Sequence, residues 1–174
     1  IGARFERVPY EYPHYAAEWN LTVDGKEMKA LPLYYEAAGS FKVSSPFIGT
    51  IDVPGLQPID EELRKQLEAA RNSGADSAVI ATTGREGHLV VPNRAPCLGS
   101  GFPTLLAAGT FLERLQQGNV LATLAAEISL RQSSNVIAHM GEGDFSRPVI
   151  VTTPLSGWFG CAGERGTGAA SDRI

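Results

Sequence analysis

The spacing of apolar positions changes along this chain, and each spacing predicts a different element. Residues 60–73 place Leu63, Leu67 and Ala70 on one side at helical spacing, which predicts an amphipathic helix that ends at Gly74. The apolar run at 75–83 predicts a short buried strand directly after it. Together they predict an α/β unit.

The first 53 residues alternate loosely between apolar and polar positions, which is typical of strands. Residues 4–12 predict one strand and residues 41–53 another. Residues 17–36 predict a hairpin whose turn is Asp24-Gly25, because this dipeptide accepts the positive φ values of a type I′ turn.

The second half of the chain predicts further strands and one short helix. Thr110 and Glu113 have the spacing of a capping box, and Gly118 follows as a helix stop. The predicted elements are a loop at 84–101 with one short strand at 88–91, a helix at 110–117, a strand at 119–131 interrupted at 133–135 and continuing to 140, a turn at 141–144 and a buried strand at 148–153.

Composition limits the classes of function. The chain has 174 residues, of which 43% are hydrophobic and 20% charged, so a packed core is expected. Its net charge of −4 argues against a nucleic-acid partner. No apolar run is long enough for a membrane span. Because the chain begins with Ile1 and ends without a recognisable element, we expect a processed or excised piece; its compartment and oligomeric state stay undetermined.

Few residues offer catalytic or metal chemistry. His14, His88 and His139 are far apart and follow no metal-ligand spacing, and no serine lies in a GxSxG motif. Cys97 and Cys161 are the only cysteines, and the sequence leaves open whether they form a disulfide or are two buried thiols. The sequence by itself therefore predicts no metal site and no cofactor.

A Gly-rich loop at 160–168 follows the predicted strand 148–153. Ligands of open α/β sheets bind at the carboxyl ends of strands, and small neighbours let a ligand approach the backbone. Arg suits a carboxylate-bearing ligand because its guanidinium is bidentate. We therefore predict one concave ligand site lined by Ser156, Trp158, Glu164 and Arg165. The alternative is a Glu164–Arg165 contact that only holds the loop in place.

Three segments resemble known families. The segments LRKQLEAARNSGADSAVIAT and FPTLLAAGTFLERLQQG resemble the protease-associated domain. The segment SSNVIAHMGEGDFSRPVIVTT is similar to the two strands that open the core of the co-catalytic zinc aminopeptidases, in which a protease-associated domain is inserted between early strands. The resemblance implies a β-rich, swivelling protease-associated-like domain plus the opening strands of an aminopeptidase-like α/β core.

The resemblance also implies a domain layout and a lost metal site. The layout is 1–30 for a leading strand and hairpin of the core, 31–132 for the protease-associated-like domain, and 133–174 for the opening core strands. Zinc is the family's cofactor. In the alignment that the resemblance implies, Pro154 stands in the position of the family's zinc-binding histidine and Ser156 in the position of the neighbouring aspartate. Glu164 and Arg165 align with the bridging aspartate and the asparagine after it. Proline cannot bind zinc, so we expect no tightly bound zinc.

Three functions are consistent with these patterns. The first is a non-catalytic protease-associated region with a partial core, which gates or binds peptide-like ligands. The second is part of a hydrolase with a rebuilt active site that uses Ser156, Glu164 and Arg165. The third is a binding module unrelated to peptidases.

Overall fold

The computed structural model describes residues 3–53, 60–91 and 101–140. Of these, the residues within Pro9–Asn135 belong to one compact unit, and residues 3–8 with 136–140 belong to another. The predicted domain bounds at 30 and 132 stay a prediction.

The described residues form a mixed α/β structure that is rich in strands, as the sequence predicted. Its strands are Ala3–Val23 (β1), Lys26–Glu27 (β2), Ala30–Pro32 (β3), Gly39–Ser44 (β4), Phe47–Ile51 (β5), Ala78–Thr82 (β6), Thr104–Ala108 (β7) and Val120–Met140 (β8). Its helices are Asp60–Asn72 (α1), Gly84–Gly87 (α2) and Leu112–Gln117 (α3), with a 3₁₀ turn at Gly109–Phe111 before α3.

Two four-stranded sheets organise these elements. The first, sheet A, has the order β2-β1-β8-β4, and the second, sheet B, has the order β3-β7-β6-β5. In sheet B, β5, β6 and β7 run parallel, while β3 pairs antiparallel with β7. Helix α1 makes the crossover from β5 to β6, as parallel strands require a long connection.

The Pro9–Asn135 unit has a core on each face of sheet B. Alternate residues of β6 point to opposite faces, so Val79 and Ala81 pack against β1, β8 and α3, while Ala78 and Ile80 pack against α1. All five residues of β6 are buried, as expected for a strand covered on both faces.

The predicted helix and turn are confirmed. Leu63, Leu67 and Ala70 of α1 are 3%, 5% and 0% exposed, and Gly74 follows the helix with a φ of +77°. The hairpin turn is at Asp24 and Gly25, with φ values of 51° and 73°. Both results follow from local chemistry: apolar spacing in the helix, and tolerance of positive φ in the turn.

Long-range pairing overturned three strand predictions. Only Lys26–Glu27 continues the hairpin, because the chain then enters sheet B as β3. Residues 41–53 do not form one strand: Ser45 has a φ of 58°, and β4 and β5 on either side of it join different sheets. The interruption predicted at 133–135 is absent from β8, which runs unbroken from Val120 to Met140 although β4 pairs with it only at Leu121–Ala126. Polar side chains such as Ser133 and Ser134 therefore do not break the strand, because strand propensity depends on context.

Two local predictions in the region from 84 to 118 were also wrong. Residues 88–91 form no strand, because the Val90 N–H donates to the Thr82 hydroxyl and that hydroxyl donates to the His88 carbonyl. Helix α3 begins later than predicted, with Phe111 at its N-cap and no side-chain cap hydrogen bond, so Thr110 and Glu113 form no capping box. The predicted turn at 141–144 and strand at 148–153 lie outside the described residues.

Candidate functional site

The sequence-predicted site lies outside the described residues. This holds for Ser156, Trp158, Glu164 and Arg165, and for Pro154 at the aligned zinc position. The pair Cys97 and Cys161 lies there too. The concave site and the state of the two thiols therefore stay predictions.

The carboxyl ends of β5, β6 and β7 meet at one edge of sheet B, where ligand sites are expected. Here the edge is closed by its own backbone. A Cβ on Gly84 would lie 2.5 Å from the Val53 carbonyl oxygen, and one on Gly109 would lie 2.4 Å from the Thr82 carbonyl oxygen. The Thr83 N–H donates to the Ile51 carbonyl at 2.9 Å. Within the described residues, the backbone is therefore closely packed at Gly84 and Gly109.

Histidine–carboxylate pairs occur twice in the described residues. His88 Nε2 lies 3.7 Å from Glu86 Oε2, with both side chains largely exposed. In the smaller unit, His139 Nε2 lies 3.5 Å from Glu6 Oε2. No group of three or more His, Cys, Asp or Glu that could hold a metal ion occurs in the described ranges. Zinc requires at least three protein ligands, so the described residues do not fit a zinc site, and we derive no step through a metal.

A groove crosses the outer face of sheet A within the Pro9–Asn135 unit. It has a volume of about 420 Å³. Its floor contains Thr123 and Ala125 of β8, which pair with Lys42 and Ser40 of β4. Glu18 and Asn20 of β1 lie on the other side, so a carboxylate and an ammonium face each other across small side chains. Such a groove can bind a polar ligand with both charges, but it offers no activated nucleophile.

Sequence analysis missed this groove. The signal was present as alternation, because the residues that point outward on β1 and β4 are polar. The sequence did not show that β8 lies between β1 and β4, and only that order brings Glu18 and Lys42 to the same groove.

Comparison with known proteins was informative only at the level of structure. No family model and no curated protein matches the sequence. The fold is similar to BSAP, a zinc aminopeptidase from Bacillus subtilis, with 18% identity and a TM-score of 0.54 over 84% of this chain and 38% of that chain. A medium-resolution structure of BSAP has 16% identity and a TM-score of 0.54 over 82% of this chain and 38% of that chain. An aminopeptidase from Aneurinibacillus sp. strain AM-1 has 14% identity and a TM-score of 0.47 over 83% of this chain and 40% of that chain.

These likenesses show the fold alone. On the likeness to BSAP, the described chain has an aminopeptidase-like α/β fold. The chain spans about two fifths of the length of the structures it matches. In the ranges that the structure describes, no helix is long and apolar enough to cross a membrane.

Proposed function

We propose that this chain is the protease-associated region and partial core of a zinc aminopeptidase-like protein, and that it gates or binds peptide-like ligands without cleaving them. The observation that carries the proposal is the likeness to BSAP, which extends over 84% of this chain but only 38% of the enzyme. The proposed layout is 1–30 and 133–174 for the core and 31–132 for the protease-associated-like domain.

The degenerate motif supports a non-catalytic role. Pro154 and Ser156 stand where the resemblance expects a zinc-binding histidine and an aspartate. A two-zinc site needs several imidazole or carboxylate ligands, and a proline supplies none.

The groove on sheet A supports a peptide-like ligand. Peptides carry backbone amides together with charged groups of both signs. Glu18 and Lys42 place one charge of each sign on opposite sides of a floor formed by Thr123 and Ala125. Trp19, Phe41 and Leu124 also line the groove, so it offers apolar surface beside the two charges, which suits a peptide that carries both apolar and charged groups.

Metal analysis combined with a peptidase assay tests the proposal. Chain purified without chelator is expected to contain far less than one zinc per chain by inductively coupled plasma analysis, and to release no product from aminoacyl p-nitroanilides. Stoichiometric zinc together with hydrolysis would show that the chain is an active enzyme and would refute a non-catalytic role.

A rebuilt active site is the second candidate. It is favoured by the charged pair Glu164-Arg165 in a loop that otherwise consists of small residues. In this case hydrolysis persists without zinc and is lost in Ser156→Ala. Arg165→Ala is then expected to weaken the binding of a carboxylate-bearing ligand more than Arg165→Lys does. Full activity in Ser156→Ala and full binding in Arg165→Ala would exclude it.

A further inference from the structure

All five tyrosines of the chain lie in one place on the Pro9–Asn135 unit. We call this the tyrosine patch: Tyr10, Tyr12, Tyr15, Tyr34 and Tyr35, together with His14. Ring centroids are 6.1 Å apart for Tyr10 and Tyr12, and 6.2 Å apart for Tyr12 and His14. Tyr15 is 5.7 Å from Tyr34 and 5.4 Å from Tyr35. The two groups meet at Pro13, because the Tyr35 hydroxyl donates to the carbonyl of this residue, which lies between Tyr12 and His14 in β1.

The patch wraps around an edge of β1. Tyr10, Tyr12 and His14 alternate along the strand and share one face, while Tyr15 points to the other. Strand β2 pairs with β1 only at Thr22 and Val23, so its side of β1 carries no strand beside the tyrosines within the described ranges. The Tyr35 hydroxyl occupies this edge by donating to the Pro13 carbonyl at 2.8 Å.

The backbone holds Tyr35 in an unfavourable conformation. Its φ of 59° is in the left-handed region, which a bulky side chain adopts at a cost of about 1–2 kcal/mol. Such outliers persist only where the surrounding structure enforces them, and they cluster at binding sites. The strain here places one aromatic ring against β1.

The exposed surface of the patch is uncharged and electron-rich. Tyr10 and Tyr12 are 43% and 36% exposed. Tyrosine hydroxyls are protonated at neutral pH, and burial raises the pKa of Tyr15 further, to about 12, and also raises the pKa of Tyr35. The Tyr15 hydroxyl is buried without a hydrogen-bond partner among the described residues.

The face of β1 that carries Tyr10 and Tyr12 continues through Ala16 to Glu18. Glu18 is exposed and forms no ion pair within the described residues, although Lys42 lies on the opposite side of the same groove. This face of β1 therefore carries the aromatic rings of Tyr10 and Tyr12 and, about 20–27 Å further along the strand, the Glu18 carboxylate. Both parts attract cations, because the face of an aromatic ring is negative.

We infer that the tyrosine patch binds an arginine-bearing, extended segment of a partner polypeptide, with guanidinium groups stacked on Tyr10 and Tyr12 and a further basic group at Glu18. Arginine fits better than lysine, because its planar, weakly hydrated guanidinium stacks on rings and can also donate to phenol oxygens. An anionic segment would face π-electrons and a carboxylate. A purely apolar segment would leave the Glu18 carboxylate unpaired.

The test is an NMR titration of the purified 174-residue chain at low salt. The probes are an acetylated and amidated peptide with two arginines separated by one serine, and the same peptide with citrulline in place of arginine. Citrulline keeps the planar shape but has a carbonyl oxygen in place of one guanidinium nitrogen, so it carries no charge and has fewer N–H donors. The arginine peptide is expected to bind at least about threefold more tightly and to shift the tyrosine ring signals.

Variants separate stacking from general attraction to an acidic chain. Tyr12→Leu is expected to lower the affinity for the arginine peptide to that for the citrulline peptide. Tyr12→Phe is expected to retain the higher affinity, because it keeps the aromatic ring. Phe111→Leu is the matched control, since Phe111 is 38% exposed elsewhere on this unit and is expected to change nothing.

Equal binding of the arginine and citrulline peptides would overturn the inference, as would unchanged binding in Tyr12→Leu. Circular dichroism of each variant confirms that it is folded before its titration is interpreted. Tyr10 and Tyr12 belong neither to the site proposed at Ser156, Trp158, Glu164 and Arg165 nor to the groove on sheet A, whereas Glu18 belongs to that groove as well. The variants change only Tyr12 and Phe111, so their results are distinguishable from the zinc and peptidase tests of the proposed function.

Discussion

Replacing Leu67 with Ala tests how sheet B holds its helix. Leu67 is 5% exposed and belongs to the cluster in which α1 packs on β5 and β6, with Ile51 and Ile80 among its members. The substitution removes about three buried carbon groups, each worth about 0.8 kcal/mol in transfer free energy. A cavity left behind adds to this loss, so the free energy of unfolding is expected to fall by about 2–5 kcal/mol.

Chemical denaturation followed by circular dichroism at the helix band measures this loss. The denaturation midpoint is expected to move to lower denaturant while the slope stays unchanged, which indicates a change in stability rather than in the surface exposed on unfolding. If the two compact units unfold in separate steps, the loss is expected in the step that removes the helix signal.

Leu130→Ala is the matched control. Leu130 is 72% exposed, so the same chemical change is expected to cost no more than about 0.5 kcal/mol. Equal effects of the two substitutions, or a loss below about 0.5 kcal/mol for Leu67→Ala, would show that α1 does not depend on burial of this side chain and would refute the reasoning.

Two further perturbations probe the hairpin turn and the tyrosine patch. Asp24→Ala removes the carboxylate that accepts a hydrogen bond from the Asn119 N–H at 2.9 Å. Thermal or urea unfolding is expected to show that the free energy of unfolding falls by about 0.5–2 kcal/mol, and by less in Asp24→Asn. Equal losses in the two variants would argue against a contribution from this hydrogen bond. The pKa of Tyr15 is raised from 10.0 to about 12, so the folded chain holds this proton more tightly than the unfolded chain. The contribution of Tyr15 to the free energy of unfolding is therefore complete below about pH 10 and is lost as the pH rises to about 12. Tyr15→Phe is expected to make stability fall less steeply over this pH range. Identical pH profiles of stability for the two proteins would contradict the raised pKa.

Local patterns were sufficient where one side chain or one turn decides the structure. The stripe Leu63, Leu67 and Ala70 predicted α1 because helical spacing directly reports the buried face. Asp24-Gly25 predicted its turn because few residue pairs accept two positive φ values. The mixed α/β class and the aminopeptidase-like fold also followed from the sequence, through the patterns and the family resemblance.

Candidate sites depended on contacts between residues that are far apart in the chain. The predicted site at Ser156, Trp158, Glu164 and Arg165 lies outside the described residues and stays a prediction. The groove needed the order of strands in sheet A, and the tyrosine patch needed the loop after β3 to return to β1. Neither arrangement has a local signature, because alternation reports which face a side chain occupies and not which strand lies beside it.

The sequence by itself thus determined the elements whose stability is local: the amphipathic helix, the type of the first turn and the buried character of β6. Tertiary structure decided which sheet each strand joins, that 41–53 splits at Ser45, and that β8 runs on to Met140. The physical reason is that backbone pairing between strands is nearly independent of side-chain identity. Partner choice is therefore set by the burial of both faces of sheet B at once.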